Sequence, residues 1–344
     1  MKLTTKALLI ILFLMTFLSC KKNSLSVEPE PNYEPGKRDY VWTADTIKAY
    51  YIYISSIWGK TVDNVWAVSM VGGTYENIYR YNGTNWYKET RTPIGNTTSL
   101  WGTDDNLWIS THDGHIWNYS NNTFTSSPQF LYGQKEIYFF NVVGKNNNEV
   151  YACGGKNIPF NRDGLIYKYD GVNWHLELEI NDYGSLYWAR YSSNNDKYYF
   201  LAFLDNKELM DTTRLLEYDG ENIKVVYQNY ISDNTSVIIN DINGYLYVTI
   251  GHKIFRYYRN NFEQILEINN SNFGGQTWGR NKNDIFIRMF DGLMHYNGSD
   301  TQYILKFPEN IDFGTSTLVL EKDVFVHAFD NKTGYNIIYH GQLR

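Results

Sequence analysis

Apolar and polar residues alternate in short runs along most of this chain, and polar turn residues separate the runs. The pattern is clearest from Thr61 to Glu89, where the runs TVDNVWAVSM and IYRYNGTNWYKE flank a segment with two glycines. Alternation with a period of two is typical of half-buried β-strands. Four dipeptides of one type lie between such runs, at Asn82-Gly83, Asp170-Gly171, Asp219-Gly220 and Asn297-Gly298. These dipeptides tolerate positive φ and are strong hairpin signals, so the sequence predicts a protein built from β-hairpins.

One tyrosine, placed just before a turn, recurs through the whole chain. The aligned residues are Tyr81, Tyr119, Tyr169, Tyr218, Tyr257, Tyr296 and Tyr339. A strand-like run precedes each of them, in the order VWAV, LWIS, VYAC, YYFL, LYVT, IFIR and VFVH. The mean interval of about 43 residues is the length of one four-stranded propeller blade. The repeats therefore predict an all-β, seven-bladed β-propeller over residues 39–344.

The last repeat stops at Arg344, directly after its third strand, and would leave an unpaired sheet edge. Propeller folds remove such edges by closing the ring. The segment YVWTADTIK, residues 40–48, precedes the first repeat and has the pattern of a strand. It places Trp42 where Trp86 falls in the first repeat. We expect residues 40–48 to complete the last blade as its outer strand.

Composition fits strands that neighbouring blades cover on both faces. The chain holds 31 Tyr, 18 Phe and 10 Trp, although its mean hydropathy is −0.46. We expect most of these rings to fill the spaces between blades. Glycine recurs in the runs SSIWG, SLWG, NVVG and TWG, where first strands crowd together. Cys153 is the only cysteine after Cys20, so we expect no disulfide and interpret Cys153 as a small buried apolar residue.

The N-terminus has the pattern of an export signal. Two early lysines precede an apolar run from Ala7 to Leu18, which is too short to span a bilayer, and Ser19-Cys20 follows. This arrangement resembles a bacterial lipobox, and the resemblance implies cleavage before Cys20 and lipidation of its thiol. An ordinary signal peptide that ends in cysteine is the alternative. We therefore expect a signal peptide over residues 1–19, and a lipidated cysteine with a flexible linker over 20–38. The mature protein would be an outer-membrane lipoprotein, held by its lipid alone and facing either the periplasm or the exterior.

Charge excludes one class of partner. Without the two early lysines the chain carries 29 basic and 37 acidic side chains, and it has no basic block. Because nucleic-acid binding needs a basic face, we exclude nucleic acid as a partner. We expect a monomer without cofactors.

Two neighbouring repeats are longer than the others between their second and third strands, at residues 153–165 and 202–214. Insertions in repeat proteins collect on one face, which is often the binding face. We therefore expect the two insertions to lie side by side and to form a recognition patch. Its candidate binding residues are Lys156, Asn157, Phe160, Arg162, Asp163, Lys207, Glu208, Asp211 and Arg214.

Residues that could carry chemistry repeat with the strands. The turns before the second strands contain Asp63, Asp104, Asp105, Asp196, Asp284 and Asp323, where a short polar side chain satisfies turn backbone. The histidines near the ends of second strands are His112, His115, His252 and His327, and they belong to three separate repeats. No phosphate-binding loop, nucleophile elbow or zinc-protease motif occurs. We therefore predict no catalytic residue and no metal site.

Two resemblances add to this interpretation. Paired glycines followed by a spaced Tyr and Trp, as in Gly72-Gly73 with Tyr79 and Trp86, are similar to the kelch pattern. The W-G, N-V-W-A-V and Y-N-G-x-x-W units behind a lipobox resemble uncharacterised propeller lipoproteins of Bacteroidetes-type bacteria. They imply a non-catalytic binding or scaffolding module for a protein or glycan partner in the cell envelope. A carbohydrate-active enzyme or lectin, with its site at the propeller face, is the alternative.

Overall fold

The computed structural model describes residues 31–48, 53–70, 78–89, 94–133, 135–156, 163–204, 212–230 and 235–344. In these residues the chain forms 29 β-strands. The described residues contain no helix that is long and apolar enough to cross a membrane. The strands form seven sheets, six with four strands and one with five. The seven-bladed all-β fold predicted from the repeats is therefore confirmed.

Each blade starts with a strand that faces the centre of the ring and continues with an antiparallel second strand. The first strands, in blade order, are β2 (Tyr53–Thr61), β6 (Thr97–Gly102), β11 (Lys135–Asn146), β15 (Ser185–Ser192), β19 (Val237–Ile242), β23 (Phe273–Asn281) and β27 (Ile311–Val319). The second strands are β3 (Asn64–Met70), β7 (Asn106–Thr111), β12 (Glu149–Lys156), β16 (Lys197–Leu204), β20 (Tyr245–Ile250), β24 (Asp284–Met289) and β28 (Asp323–Asp330). Each first strand contacts the first strands of both neighbouring blades, so the ring is closed.

The third and fourth strands lie further from the ring axis. The third strands are β4 (Ile78–Tyr81), β8 (Ile116–Ser120), β13 (Gly164–Tyr169), β17 (Thr212–Tyr218), β21 (Lys253–Tyr258), β25 (Gly292–Tyr296) and β29 (Tyr335–Leu343). The outer strands of blades one to six are β5 (Trp86–Lys88), β9 (Thr123–Ser126), β14 (Trp174–Ile180), β18 (Ile223–Tyr230), β22 (Asn261–Glu267) and β26 (Thr301–Lys306). Blade three has an additional short strand, β10 (Leu131–Tyr132), paired with β11.

The outer strand of blade seven comes from the other end of the chain. It is β1 (Tyr40–Ile47), which pairs antiparallel with β29 from Tyr40 opposite Leu343 to Ile47 opposite Asn336. Trp42 stands opposite Gly341, as Trp86 stands opposite Tyr81 in blade one. The predicted closure by residues 40–48 is therefore confirmed, and it removes the sheet edge that β29 would otherwise expose.

The register corrects one detail of the repeat alignment. In blade six Tyr296 pairs with Ile285, whereas in blade seven the equivalent residue, Val324, pairs with Gly341. Tyr339 pairs with Val326, two residues further along β28, and is therefore not the equivalent of the other six tyrosines. A Cβ added at Gly341 would lie 2.8 Å from the Trp42 ring, so the closing strand leaves no room for a side chain there. Tyr339 lies in the third strand of blade seven, but its predicted alignment with the other six tyrosines is wrong.

The core lies between the blades. Buried apolar side chains in the described residues form seven clusters, and each cluster joins two neighbouring blades. Trp–Gly pairs contribute to these boundaries. The Trp58 ring lies where a Cβ on Gly102 would be, and Trp101 packs in the same way on Gly144 of the following blade. This explains the glycines at positions 102 and 144, because a Trp ring from the preceding blade fills the space that a side chain would need.

The two faces of the ring differ. On one face, here called the turn face, the first strand turns into the second and the third into the fourth. Asn82 Oδ1 accepts hydrogen bonds from the Thr84 and Asn85 amides at 3.0 and 2.9 Å, and only Gly83 in this turn has positive φ. The Asn82 side chain therefore caps the turn, and only Gly83 adopts the left-handed backbone conformation that favours glycine. The opposite face, here called the loop face, is where first strands begin and second strands end.

Candidate functional site

The loop face carries large side chains at one repeated position, the end of the second strand. Five of the seven blades place a large residue there, namely Met70, His112, Phe203, Phe290 and Phe329. Met70 is 46% exposed and Phe290 52% exposed. Packing of the core does not require Met70 and Phe290 to be exposed, and an exposed apolar side chain that recurs at one position is a candidate for contact with a partner. The loop face is therefore the candidate recognition surface.

Irregularities in the first strands add a second repeated position. An extra residue bulges from four first strands, at Ser55, Thr98, Phe140 and Tyr187. All four residues line the central cavity. A bulge interrupts strict alternation and redirects a side chain, and bulges often occur beside functional sites. Here they direct one residue from each of blades one to four toward the ring axis.

Blades two to four bring several rings together in a cluster that we call the aromatic arc. Its members are His112, Tyr138, Phe140, Tyr187 and Phe203. His112 stacks on Tyr138 and Phe140 on Tyr187, each with ring centroids 4.3 Å apart. Phe203 meets Tyr187 edge to face at 6.2 Å. Burial lowers the pKa of His112 against a smaller opposing effect of Asp113, so its imidazole is neutral at pH 7. Trp188, 38% exposed, packs beside Tyr187.

A cavity of about 280 Å³ lies on the ring axis, and all seven first strands line it. Among the described lining residues Arg190 is the one charged side chain, and none is a carboxylate. Arg190 donates from Nε to Asn240 Oδ1 at 3.0 Å and from Nη1 to the Ala189 carbonyl at 2.7 Å. Asn240 in turn donates to the Thr277 carbonyl. These bonds tie blades four, five and six together and hold Arg190 in the cavity wall.

Three residues of the predicted recognition patch lie in the described part of the chain. Lys156 is buried and bonded to Asp163 at 2.8 Å and to Glu179 at 2.5 Å. Asp163 also accepts a hydrogen bond from the Asp182 amide at 3.2 Å, and Arg214 donates to the Asp182 carbonyl at 3.4 Å. The bases of the two insertions are thus linked through one turn on the loop face, next to the aromatic arc.

The other predicted patch residues lie outside the described residues. They are Asn157, Phe160, Arg162, Lys207, Glu208 and Asp211, and Cys20 also falls there. The bonding of Lys156 still limits its use. An ammonium group held by two carboxylates at the base of a loop contributes to folding and is a poor probe of recognition. Arg214, which lies over the Tyr183 ring at 5.1 Å, is the more accessible member.

His327 and the turn carboxylates Asp284 and Asp323 serve the fold. His327 is fully buried, accepts a hydrogen bond from the Thr315 amide at Nδ1 and therefore donates from Nε2 to Asn336 Oδ1 at 2.8 Å. Asp284 bonds His295 and Asp323 bonds His340, each at 2.7 Å. Within the described ranges no three His, Cys, Asp or Glu side chains lie close enough together to hold a metal ion.

Solved structures share the fold, whereas no family profile and no curated protein matches the sequence. A structure of YCF48 bound to D1 peptide has a TM-score of 0.61 at 13% identity, over 92% of this chain and 99% of the other. A catalytically inactive virginiamycin B lyase from Staphylococcus aureus, with quinupristin, gives 0.64 at 11% identity over 89% and 100%. The WD40 propeller domain of Doa1 gives 0.59 at 11% identity over 90% and 98%. The chain has a WD40-like β-propeller fold.

Proposed function

We propose that this protein is a non-catalytic binding propeller that holds a protein or glycan partner on its loop face. The observation that carries the proposal is the aromatic arc, with the exposed Trp188 beside it. Aromatic rings supply large contact areas at low conformational cost, which suits them to recognition. The linked insertion bases at Asp163 and Arg214 lie on the same face of the ring as the arc, and we include these two residues in the recognition region.

The central cavity favours binding over hydrolysis. Glycoside hydrolysis uses two carboxyl groups at a defined separation, and the described lining of the cavity holds none. Propellers of similar fold include one bound to a peptide and one described as a lyase, so fold similarity does not decide between the two functions. Function must therefore be argued from the site, whose aromatic rings and hydroxyl groups are suited to holding a ligand.

An envelope lipoprotein of the Bacteroidetes type is the cellular setting that we propose, on the strength of the lipobox at Cys20. Residues 36–38, which lead into β1, bind to blade six. The Gly36 amide donates to the Asn283 carbonyl at 2.8 Å, and Arg38 binds Asp300 at 2.7 Å. Asn283 and Asp300 belong to turns of blade six on the turn face. Residues 36–38 therefore lead into β1 at the turn face, opposite the loop face on which we place the partner.

Site-specific photocrosslinking in the native cell tests the proposal. A photoreactive phenylalanine analogue replaces Trp188 in one variant and Tyr87 in the control. Both side chains are 38% exposed, but Tyr87 lies on the outer strand of blade one. We expect a discrete adduct from position 188, identified by mass spectrometry or by glycan staining, and none from position 87. Equal labelling from both positions, or none from position 188, would refute the proposal.

A further inference from the structure

A second concave site lies on the loop face, between blades six and seven and beside the first strand of blade one. Its volume is about 420 Å³, within the range of small-molecule pockets. We call it the Arg288 pocket, and its lining includes Tyr53, Arg288, Phe290, Asp312, Phe329 and Asn331. It is separate from the aromatic arc, which belongs to blades two to four.

Aromatic rings form the walls of the Arg288 pocket. Tyr53 and Phe290 are 39% and 52% exposed, and Tyr53 contacts Phe329 with ring centroids 6.1 Å apart. The Phe290 backbone is fixed on both sides, because its amide donates to the Asn272 carbonyl at 2.7 Å and its carbonyl accepts from the Phe313 amide at 3.4 Å. The ring is therefore presented to solvent from a rigid backbone. Such a ring offers a flat apolar face to a ligand.

The polar groups of the pocket are held in place before any ligand arrives. Arg288 donates from Nη1 to Gln276 Oε1 at 3.1 Å, and its guanidinium lies 5.6 Å from the Phe290 ring and 5.5 Å from the Phe313 ring. Asp312 Oδ2 accepts a hydrogen bond from Asn331 Nδ2 at 2.6 Å. Asp312 Oδ1 accepts none from the described residues. A fixed carboxylate oxygen with spare capacity suits a hydroxyl donor.

The charges of the pocket argue for a neutral ligand. Arg288 and Asp312 both act on the Tyr53 hydroxyl, since burial raises the pKa of Tyr53 while Arg288 lowers it and Asp312 raises it. All three groups line the pocket, and the two formal charges are opposite. The guanidinium would repel a cationic ligand and the carboxylate would repel an anionic ligand. A neutral ligand rich in hydroxyl groups meets neither obstacle.

We propose that the Arg288 pocket binds a neutral sugar ring, the end of a glycan chain. A pyranose has C–H faces that pack on Tyr53 and Phe290, and hydroxyl groups that both donate and accept hydrogen bonds. Asp312 accepts from these hydroxyls, and the Asn331 amide and the Tyr53 hydroxyl can do either. The inference rests on the proposed function in placing recognition on the loop face, and it names a ligand class for one part of that face.

Titration of the purified full-length chain with methyl glycosides of glucose, galactose, mannose and N-acetylglucosamine tests the proposal. Saturation-transfer NMR detects binding, and calorimetry measures its affinity. We expect at least one glycoside to bind, and we expect Phe290→Ala and Asp312→Asn each to weaken it by about tenfold or more. Tyr230→Ala is the control, because Tyr230 is similarly exposed at 48% but lies on the outer strand of blade four.

The outcomes separate the pocket from the proposed function. Binding that Asp312→Asn and Phe290→Ala leave unchanged would overturn the sugar pocket, as would the absence of binding by all four glycosides. Asp312→Asn is nearly isosteric at an exposed residue, so it keeps the test valid if Phe290→Ala alters folding. Binding of an acidic or basic peptide in place of the glycosides would also overturn it. Crosslinking from position 188 would still support a loop-face partner in each of these cases.

Discussion

Gly341→Ala should destabilise the protein, because the closing strand leaves no space for a side chain at this position. The added Cβ would lie 2.8 Å from Cη2 and Cζ3 of Trp42, closer than real Cβ contacts allow. The backbone at Gly341 does not have positive φ, so the cost is steric. Forcing an extra carbon into a packed site costs about 1–3 kcal/mol. For a chain of this size we expect the Tm to fall by about 2–10 °C.

A double-mutant cycle makes the cause testable. In a Trp42→Ala background the obstructing ring is gone, so Gly341→Ala should then cost less than about 0.5 kcal/mol. Trp42→Ala alone should also lower the Tm, because the ring packs in the cluster between blades six and seven. Thermal unfolding followed by circular dichroism measures all four proteins. Gly95→Ala is the matched control, since a Cβ at Gly95 would meet nothing within 4 Å.

Two results would refute this reasoning. One is a Gly341→Ala variant as stable as the parent, which would mean that Trp42 is not packed on β29. The other is an equal loss of Tm with and without Trp42, which would place the strain elsewhere. In either case the closure of blade seven by β1 would need a different explanation, because the contact between Trp42 and Gly341 lies within their pairing.

Three further outcomes follow from the structure. Burial lowers the pKa of His327 from its ordinary value of 6.5 to about 4, so the unfolded chain binds more protons between these values. Stability should fall by about 3 kcal/mol as the pH drops through this window, and His327→Gln should flatten the pH dependence of the Tm. Cys153 is buried and burial raises the pKa of its thiol, so iodoacetamide should label it only in denaturant, as peptide mass spectrometry can show. Cys20→Ser should abolish incorporation of labelled palmitate and release the protein from membranes, and unchanged membrane association would exclude a lipid anchor at Cys20.

The fold could be predicted because its determinants are local and repeated. The third-strand tyrosine and the Asn-Gly turn recur in register, and β1 was recognisable because Trp42 occupies the place of Trp86. The error at Tyr339 has the same origin. The last repeat has Gly341 in place of the tyrosine because its outer strand comes from the N-terminus. The contact between Trp42 and Gly341 joins residues about 300 positions apart in the sequence.

The candidate site was harder to predict because it depends on irregularities. Phe140 and Tyr187 lie at bulges, where the period of two breaks down. A strict alternation would assign such rings to the core like the other aromatics. The Arg288 pocket also escapes sequence analysis, since Tyr53, Arg288 and Asp312 come from three different blades. The structure shows what Gly274 in β23 is for, because a Cβ there would lie 2.7 Å from the Arg288 side chain.

Comparison of the bulge residues between blades separates structure from function. In blades one and two the bulge residue is a hydroxyl that bonds the next blade, from Ser55 to the Thr97 carbonyl and from Thr98 to the Phe139 carbonyl. In blades three and four the same position holds Phe140 and Tyr187, which stack on each other at the cavity mouth. Blades one and two join their neighbours with a hydroxyl side chain at this position, so closure of the propeller does not require an aromatic residue there. These two aromatic residues lie in the two blades that carry the insertions. Their coincidence on one side of the loop face is the reason to place recognition there.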